Sequence, residues 1–496
     1  MAQISLFDGN NKFAITKPIR LIELFGGYGS QAFALKYLGV NFEHWKLCEW
    51  AVKSIQAYKD AHFLEDNTDY SKELTKEQLV DYLANKGISA NYNEPMSYEQ
   101  VKRLSEDKLR TIYNNIKATH NLVNIQQAKG NDFEIKDTDK YCYVMTYSFP
   151  CQDLSSAGLE KGMEKGSGTR SGLLWEVERI LDECQEKPQV LLMENVPEVI
   201  GVNNVKHFAK WLEKLESLGY HCYWQVLNGK DYGIPQNRER CFMVSVLGDY
   251  FYEFPKRIKL EHKLKDLLED DVDEKFYLSD KMKEYIKAEN GKWTGNDDKS
   301  IINRDIGVTI NTRVGNTRAD CSDYICDELP ANTNLKCLGI FDYKASDKFL
   351  GNRNRFNKTE IAPTMLTNHN YGVVVNSNNN LKQKLCNELI QSGKVKEGDI
   401  IRHSYTNSQF DDFRIENEEN HDCCSTLTTR ADCIGVVKDY RIRKLTPKEC
   451  FRLMGVKDKD FENIAQNQSN ASLYHLAGDS IIVNVLMAIF KNMIGE

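Results

Sequence analysis

With 496 residues, 41% of them hydrophobic and 28% charged, the chain is long enough for two or three domains, each burying its own core. It shows no uninterrupted apolar run of spanning length. Met1 to Lys17 is mixed and polar, so neither a membrane span nor a signal peptide is expected, and the cytoplasm is the default compartment. A net charge of −7 excludes a chain that is basic throughout; any affinity for nucleic acid must come from Lys and Arg gathered on one face.

In chain order, the apolar run Ile19 to Phe25 reads as a buried strand. It enters Gly26-Gly27-Tyr28-Gly29-Ser30 and then a helical pattern from Gln31 to Leu38, closed by Gly39. Further strands are expected at Tyr141–Tyr147, Val190–Met193, Cys222–Leu227 and Arg240–Leu247, separated by helical patterns at Leu173–Cys184 and His207–Leu218. This alternation predicts an α/β domain over 17–254, a mostly parallel sheet with helices on both faces. Residues 64–120 interrupt it with Lys/Glu-rich helical sequence, read as an insert.

Beyond about residue 250 the character changes. Lys256 to Glu289 reads as charged and helical, and 295–440 is rich in Asn, Thr, Asp and Gly with short apolar runs. A second, smaller, loop-rich and mainly β domain is expected over 255–440. It contains a repeat: Thr317-Arg318-Ala319-Asp320-Cys321 returns as Thr429-Arg430-Ala431-Asp432-Cys433. Related phrases surround Thr364 and Thr426. The repeat either builds the domain or presents polar loops to a ligand. Residues 441–496 return to the first domain, ending in an apolar helix from Asp479 to Ile489.

The glycines after the first strand permit a tight turn and close approach to a ligand. Glu49, about twenty residues on, can accept hydrogen bonds from two ribose hydroxyls. No Gly-x-Gly-x-x-Gly and no phosphate-loop Lys-Ser/Thr follows, so the turn suits a nucleoside lacking a pyrophosphate, such as S-adenosylmethionine. Cys151, between Pro150 and Gln152 at a strand's C-terminal end, sits where α/β enzymes place chemistry. By itself such a cysteine is more often structural. The five glycines between Gly158 and Gly172 suggest a loop that closes over a substrate. The 14 cysteines form no disulfide framework and no Cys-x-x-Cys pair, and no metal site is expected.

Together these segments resemble the DNA cytosine-5 methyltransferases of bacterial and phage type. Phe25-Gly26-Gly27-Tyr28-Gly29 is similar to the family's cofactor motif, Pro150-Cys151-Gln152 to its nucleophile motif and Glu194-Asn195-Val196 to its glutamate motif. Gln236-Asn237-Arg238-Glu239-Arg240 resembles its Gln-x-Arg-x-Arg motif. The segments opening at Arg443 and Gly478 resemble those that follow its target recognition domain. Residues 64–120 and the interior of 255–440 lie outside the resemblance.

The resemblance implies a Rossmann-like S-adenosylmethionine-dependent domain and a target recognition domain over 255–440. Phe25, Gly27, Gly29, Glu49, Asn124, Asp479 and Ser480 would bind the cofactor, Asn124 standing where the family has Asp and Asp479 where it has Asn. Cys151 would be the nucleophile, with Glu194, Arg238 and Arg240 around the base. The two arginines, alternating into a strand, would share one face. Gln152, Ser155, Gln236, Thr364 and Thr426 would meet substrate or DNA. The partner would be double-stranded DNA, the chain a monomer, and any cognate restriction endonuclease would act separately. An RNA cytosine-5 methyltransferase and a catalytically silent DNA-binding homologue are the alternatives. No side chain stands out as the base that removes the C5 proton, a step an ordered water can perform.

Overall fold

The computed structural model describes residues 11–150, 154, 163–166, 170–277 and 443–494, with the backbone of short strands between 324 and 444. Cys151, Gln152, Ser155, Thr364, Thr426 and most of the internal repeat lie outside the described residues. Described residues up to Asp271 and from Leu445 form one compact unit, and those from Val272 to Lys444 a second.

In the first unit, β1 (Ile19–Leu24), β2 (Phe42–Cys48), β3 (Cys142–Tyr147), β4 (Val190–Asn195), β5 (Tyr220–Asn228) and β6 (Glu239–Leu247) form one sheet in the order β2-β1-β3-β4-β6-β5. The first four strands in that order are parallel. The last two are antiparallel, because the chain returns from β5 to β6 directly rather than through a crossover helix. The central strands β3 and β4 are buried along their whole length, which is why they read as unbroken apolar runs.

Helices α1 (Ser30–Tyr37) and α2 (Val52–His62) follow β1 and β2. The insert contains α3 (Lys76–Lys86), α4 (Tyr98–Lys102) and α5 (Glu106–Ala118). Thr75 and Ser97 close reciprocal capping boxes with Gln78 and Gln100, and Ser105 caps α5. Leu79, Leu83, Val101, Leu109 and Ile112 form a small core of their own with Ile55 of α2. Helices α6 (Leu174–Glu183) and α7 (Val205–Ser217) cover the other side of the sheet. There Trp211 is fully buried and its indole donates to Tyr147 Oη at 3.1 Å.

The charged helix read at Lys256–Glu289 is absent from the described part, which holds only single turns at Leu264–Leu267 and Glu274–Phe276. Tertiary partners take the backbone groups a helix would use. Ile258 N donates to Asp231 O, Glu269 N to the Glu449 carboxylate, and Arg452 donates to the carbonyls of Leu267 and Leu268.

The chain closes with α8 (Pro447–Leu453), α9 (Asp458–Ala465), α10 (Asn470–Asp479) and α11 (Val483–Ile494). The helix expected from Asp479 starts instead at Val483: Asp479 ends α10, and Ser480–Ile482 break the chain between α10 and α11. Arg238 donates to the carbonyls of Gly478 and Ser480 at that break, supplying positive charge at a helix C-terminus. Taken together, Asn470–Ile494 is long and apolar enough to cross a membrane, with mean hydropathy 1.6 over its best stretch. In this fold 72% of that stretch is buried, so core packing accounts for its apolarity.

The second unit contains a four-stranded antiparallel sheet, formed by Phe341–Asp342, Ile400–His403, Phe413–Ile415 and Cys433–Val436, and an antiparallel pair, Tyr324–Glu328 with Tyr440–Lys444.

Candidate active site

Strand register builds the site. Leu24 pairs with Cys48 and with Tyr147, and Tyr147 pairs with Met193. β1, β2 and β3 therefore end level with Met193 of β4, and the next residue along each strand, Phe25, Glu49, Ser148 and Glu194, lies in one row along the sheet's carboxyl edge. All four line one cavity of about 210 Å³. This is where open α/β sheets bind ligands.

At the β1 and β2 end, Glu49 is 9% exposed. Its Oε2 accepts from Gly27 N at 3.0 Å and its Oε1 from Ala51 N at 2.8 Å. Asn121 clamps the Glu49 backbone, accepting from its N–H and donating to its carbonyl. Burial pushes the Glu49 carboxyl up to about 7, against the pull of these amides. Gly27 and Gly29 have φ of +56° and +84°, and Phe25 also lies in the left-handed region at +57°. Asn124 reaches the same cavity, with its Oδ1 accepting from Gln126 N. Asp479 faces it from α10, and Ser480 lines a smaller pocket beside it.

At the β4 end, Glu194 is buried and Arg240 Nε lies 3.2 Å from its Oε1. Burial still outweighs Arg240 and Arg238, and the Glu194 carboxyl is held above its ordinary value. Arg238 and Arg240 both line the cavity, as alternation into β6 implies, yet their partners differ. Arg240 pairs with Glu194, whereas Arg238, 4% exposed, ties the entrance of β6 to the break between α10 and α11.

Gln236 is fully buried, and its Nε2 donates to Leu453 O at 2.8 Å, so it ties the β5–β6 connection to α8. Several site residues had escaped the sequence reading. Asn195 Nδ2 donates to Phe149 O at 2.9 Å and Ser171 Oγ to Pro150 O at 2.7 Å, so the backbone leading to Cys151 is held from two sides. Trp50 lines the cavity and adjoins Glu49 in sequence, a signal that could have found it. Tyr92 of the insert also lines it, and no motif marked it.

Among the described residues no cluster of His, Cys, Asp and Glu could hold a metal ion. A mostly parallel α/β sheet with a cavity at its carboxyl edge defines an open α/β protein of the kind that binds nucleoside-type ligands there. Residues 87–495 match the family described as C-5 cytosine-specific DNA methylase. The chain is similar to the orphan methyltransferase M.SssI of Spiroplasma monobiae, 41% identical over 58% of this chain and 74% of that one. It is similar over nearly its whole length to the type II methyltransferase M2.ScrFI of Lactococcus lactis subsp. cremoris, 30% identical over 96% of this chain and 99% of that one. The solved Entamoeba histolytica methyltransferase EhMeth shares the fold, with a TM-score of 0.51, 14% identity and coverage of 96% and 98%. The chain belongs to the C-5 cytosine-specific DNA methylase family and is a DNA cytosine-5 methyltransferase.

Proposed function

We propose that this enzyme transfers a methyl group from S-adenosylmethionine to C5 of a cytosine flipped out of a specific duplex sequence, through a covalent bond between Cys151 and C6. The row Phe25, Glu49, Ser148 and Glu194 carries the reading, because it puts a nucleoside-binding end and a base-binding end in one cavity.

The cavity suits the cofactor. Glu49 retains lone pairs for two ribose hydroxyls, the glycine turn admits close approach, and Asp479 can take the methionine ammonium. Trp50, Val123, Ile125 and Pro150 supply apolar wall. When bound, S-adenosylmethionine supplies an electrophilic methyl.

Cytosine C5 is too electron-poor to take a methyl unaided. Addition of the Cys151 thiolate at C6 makes the ring an enamine that is nucleophilic at C5. Negative charge then develops toward N3, and protonated Glu194 holds its proton there, with Arg240 oriented by the same carboxyl. Asn195 and Ser171 steady the strand end that carries the nucleophile. Loss of the C5 proton, with an ordered water as base, lets the C6–S bond break and restores the ring. A stacked base cannot meet this geometry, so it is extruded from the duplex. The second unit would read the sequence, and the enzyme would act as a monomer, apart from any endonuclease.

Duplex DNA containing 5-fluorocytosine at the target lacks the proton that must leave. It should trap the native chain as a complex stable to denaturing electrophoresis, and Cys151→Ser should not form it. Equal trapping by both proteins would remove Cys151 as the nucleophile.

A further inference from the structure

The insert, which no family motif covers, reaches the cofactor cavity at one point. Its loop is tied to the sheet, because Ser89 N donates to Trp50 O and Val52 N to Ser89 O. Asn91 Oδ1 then accepts from the amides of Asn93 and Glu94, and Ser89 Oγ donates to Glu94 O. Between these anchors Tyr92 is held at φ +64°, a conformation that a residue of its size rarely adopts. Such strain persists where surroundings impose it and is concentrated at functional sites.

Three contacts fix where the Tyr92 ring lies. It stacks on His475 of α10, with centroids 4.1 Å apart and planes at 19°. His475 Nδ1 lies 3.2 Å from Asp479 Oδ2. The neighbouring Asn93 Oδ1 accepts from Arg170, which lines the same cavity. Tyr92 thereby walls both the main cavity and the smaller pocket of about 30 Å³ beside it, along with Ser54, Gly27 and Asp479. Its hydroxyl is buried beside Ser54, with no hydrogen bond of ordinary length to the described residues. A buried donor without a partner is costly, and one that faces a ligand cavity is satisfied when the ligand brings an acceptor. Burial holds the phenol protonated, as a donor.

We infer that Tyr92 is a cofactor-positioning residue, its hydroxyl donating to the carboxylate of the cofactor's amino-acid portion. The inference rests on the S-adenosylmethionine reading above. Asp479 suits the ammonium on the same carbon and repels the carboxylate, which therefore needs a neutral donor on the opposite wall. The insert thus supplies one wall of the amino-acid end of the site.

The test compares two ligands by calorimetry: S-adenosylhomocysteine, and methylthioadenosine, which lacks the amino-acid portion. Tyr92→Phe keeps the ring, the stack and the backbone. It should weaken S-adenosylhomocysteine by about five- to tenfold, leave methylthioadenosine unchanged and not lower the ligand-free melting temperature. Equal affinity of Tyr92→Phe and the native chain for S-adenosylhomocysteine would overturn the inference, and so would an equal loss for both ligands. In either of those outcomes the native chain still binds, and the cofactor reading stands. A native chain that binds neither ligand overturns both.

Discussion

Two buried glutamates show how position decides the use of a side chain. Glu194 ends β4 in the cavity beside Arg240, and burial holds its carboxyl above the ordinary value. If its protonated form acts at cytosine N3, the rate should decline as pH rises through that raised pKa. Glu194→Gln should lower kcat by about 10²–10⁴ with cofactor affinity retained. Single-turnover rates across pH for both proteins check this, and an unaffected rate would sink the role. Glu23, the penultimate residue of β1, lines neither the cavity nor the smaller pocket beside it. It accepts from Tyr58 Oη and from Ala32 N at the start of α1, and burial raises it from 4.5 to about 7. The folded chain therefore binds this proton more tightly than the unfolded chain. The stabilising contribution is complete below about 4.5 and is lost as pH rises through about 7. Glu49 acts in the same direction over the same window. Glu23→Gln should flatten the decline in stability between pH 5 and 8, by at most about 3 kcal/mol, because Tyr58 can turn its hydroxyl to His44 Nδ1 at 3.0 Å. Urea unfolding at the two pH values measures it.

Among elements, the turn from β1 to α1 separates two uses of glycine. At Gly29, φ +84°, an added Cβ would lie 2.4 Å from His62 Nε2 and 2.8 Å from Tyr58. At Gly27, φ +56°, it would meet no protein atom within 4 Å and would stand in the cavity wall. Gly29→Ala should therefore lower the melting temperature sharply. Gly27→Ala should cost only about 1 kcal/mol in stability and lose most cofactor binding. Melting curves and calorimetry on the two variants test the contrast, and matching behaviour would refute it. The strands were legible because each is an apolar run bounded by turn residues. The antiparallel β5–β6 pair was not, since both strand directions bury the same side chains. Within the described residues 256–277 the helix read after Lys256 gives way to single turns, because Asp231, Glu449 and Arg452, distant in sequence, take the backbone groups involved.

At the scale of the molecule, the proposed function puts catalysis in the first unit and sequence reading in the second. Exchanging residues 272–444 for the matching segment of the Lactococcus relative should move methylation to that relative's target and leave cofactor affinity unchanged. Bisulfite sequencing of DNA from expressing cells reads the outcome, and an unchanged target would place recognition elsewhere. Net charge of −7 gave no hint of a DNA enzyme, because affinity depends on where charges lie and not on their sum. Motif order was enough, by itself, to determine the family. Glycine turn, Cys151, Glu194 and Arg240 are local signals whose residue types the proposed reaction requires. Only the tertiary structure decided which side chains meet. Register levels Phe25, Glu49, Ser148 and Glu194 at one edge, Gln236 is buried against α8, and the insert brings Tyr92 to the cavity wall. Those outcomes depend on contacts between residues far apart in the chain, which local patterning does not encode.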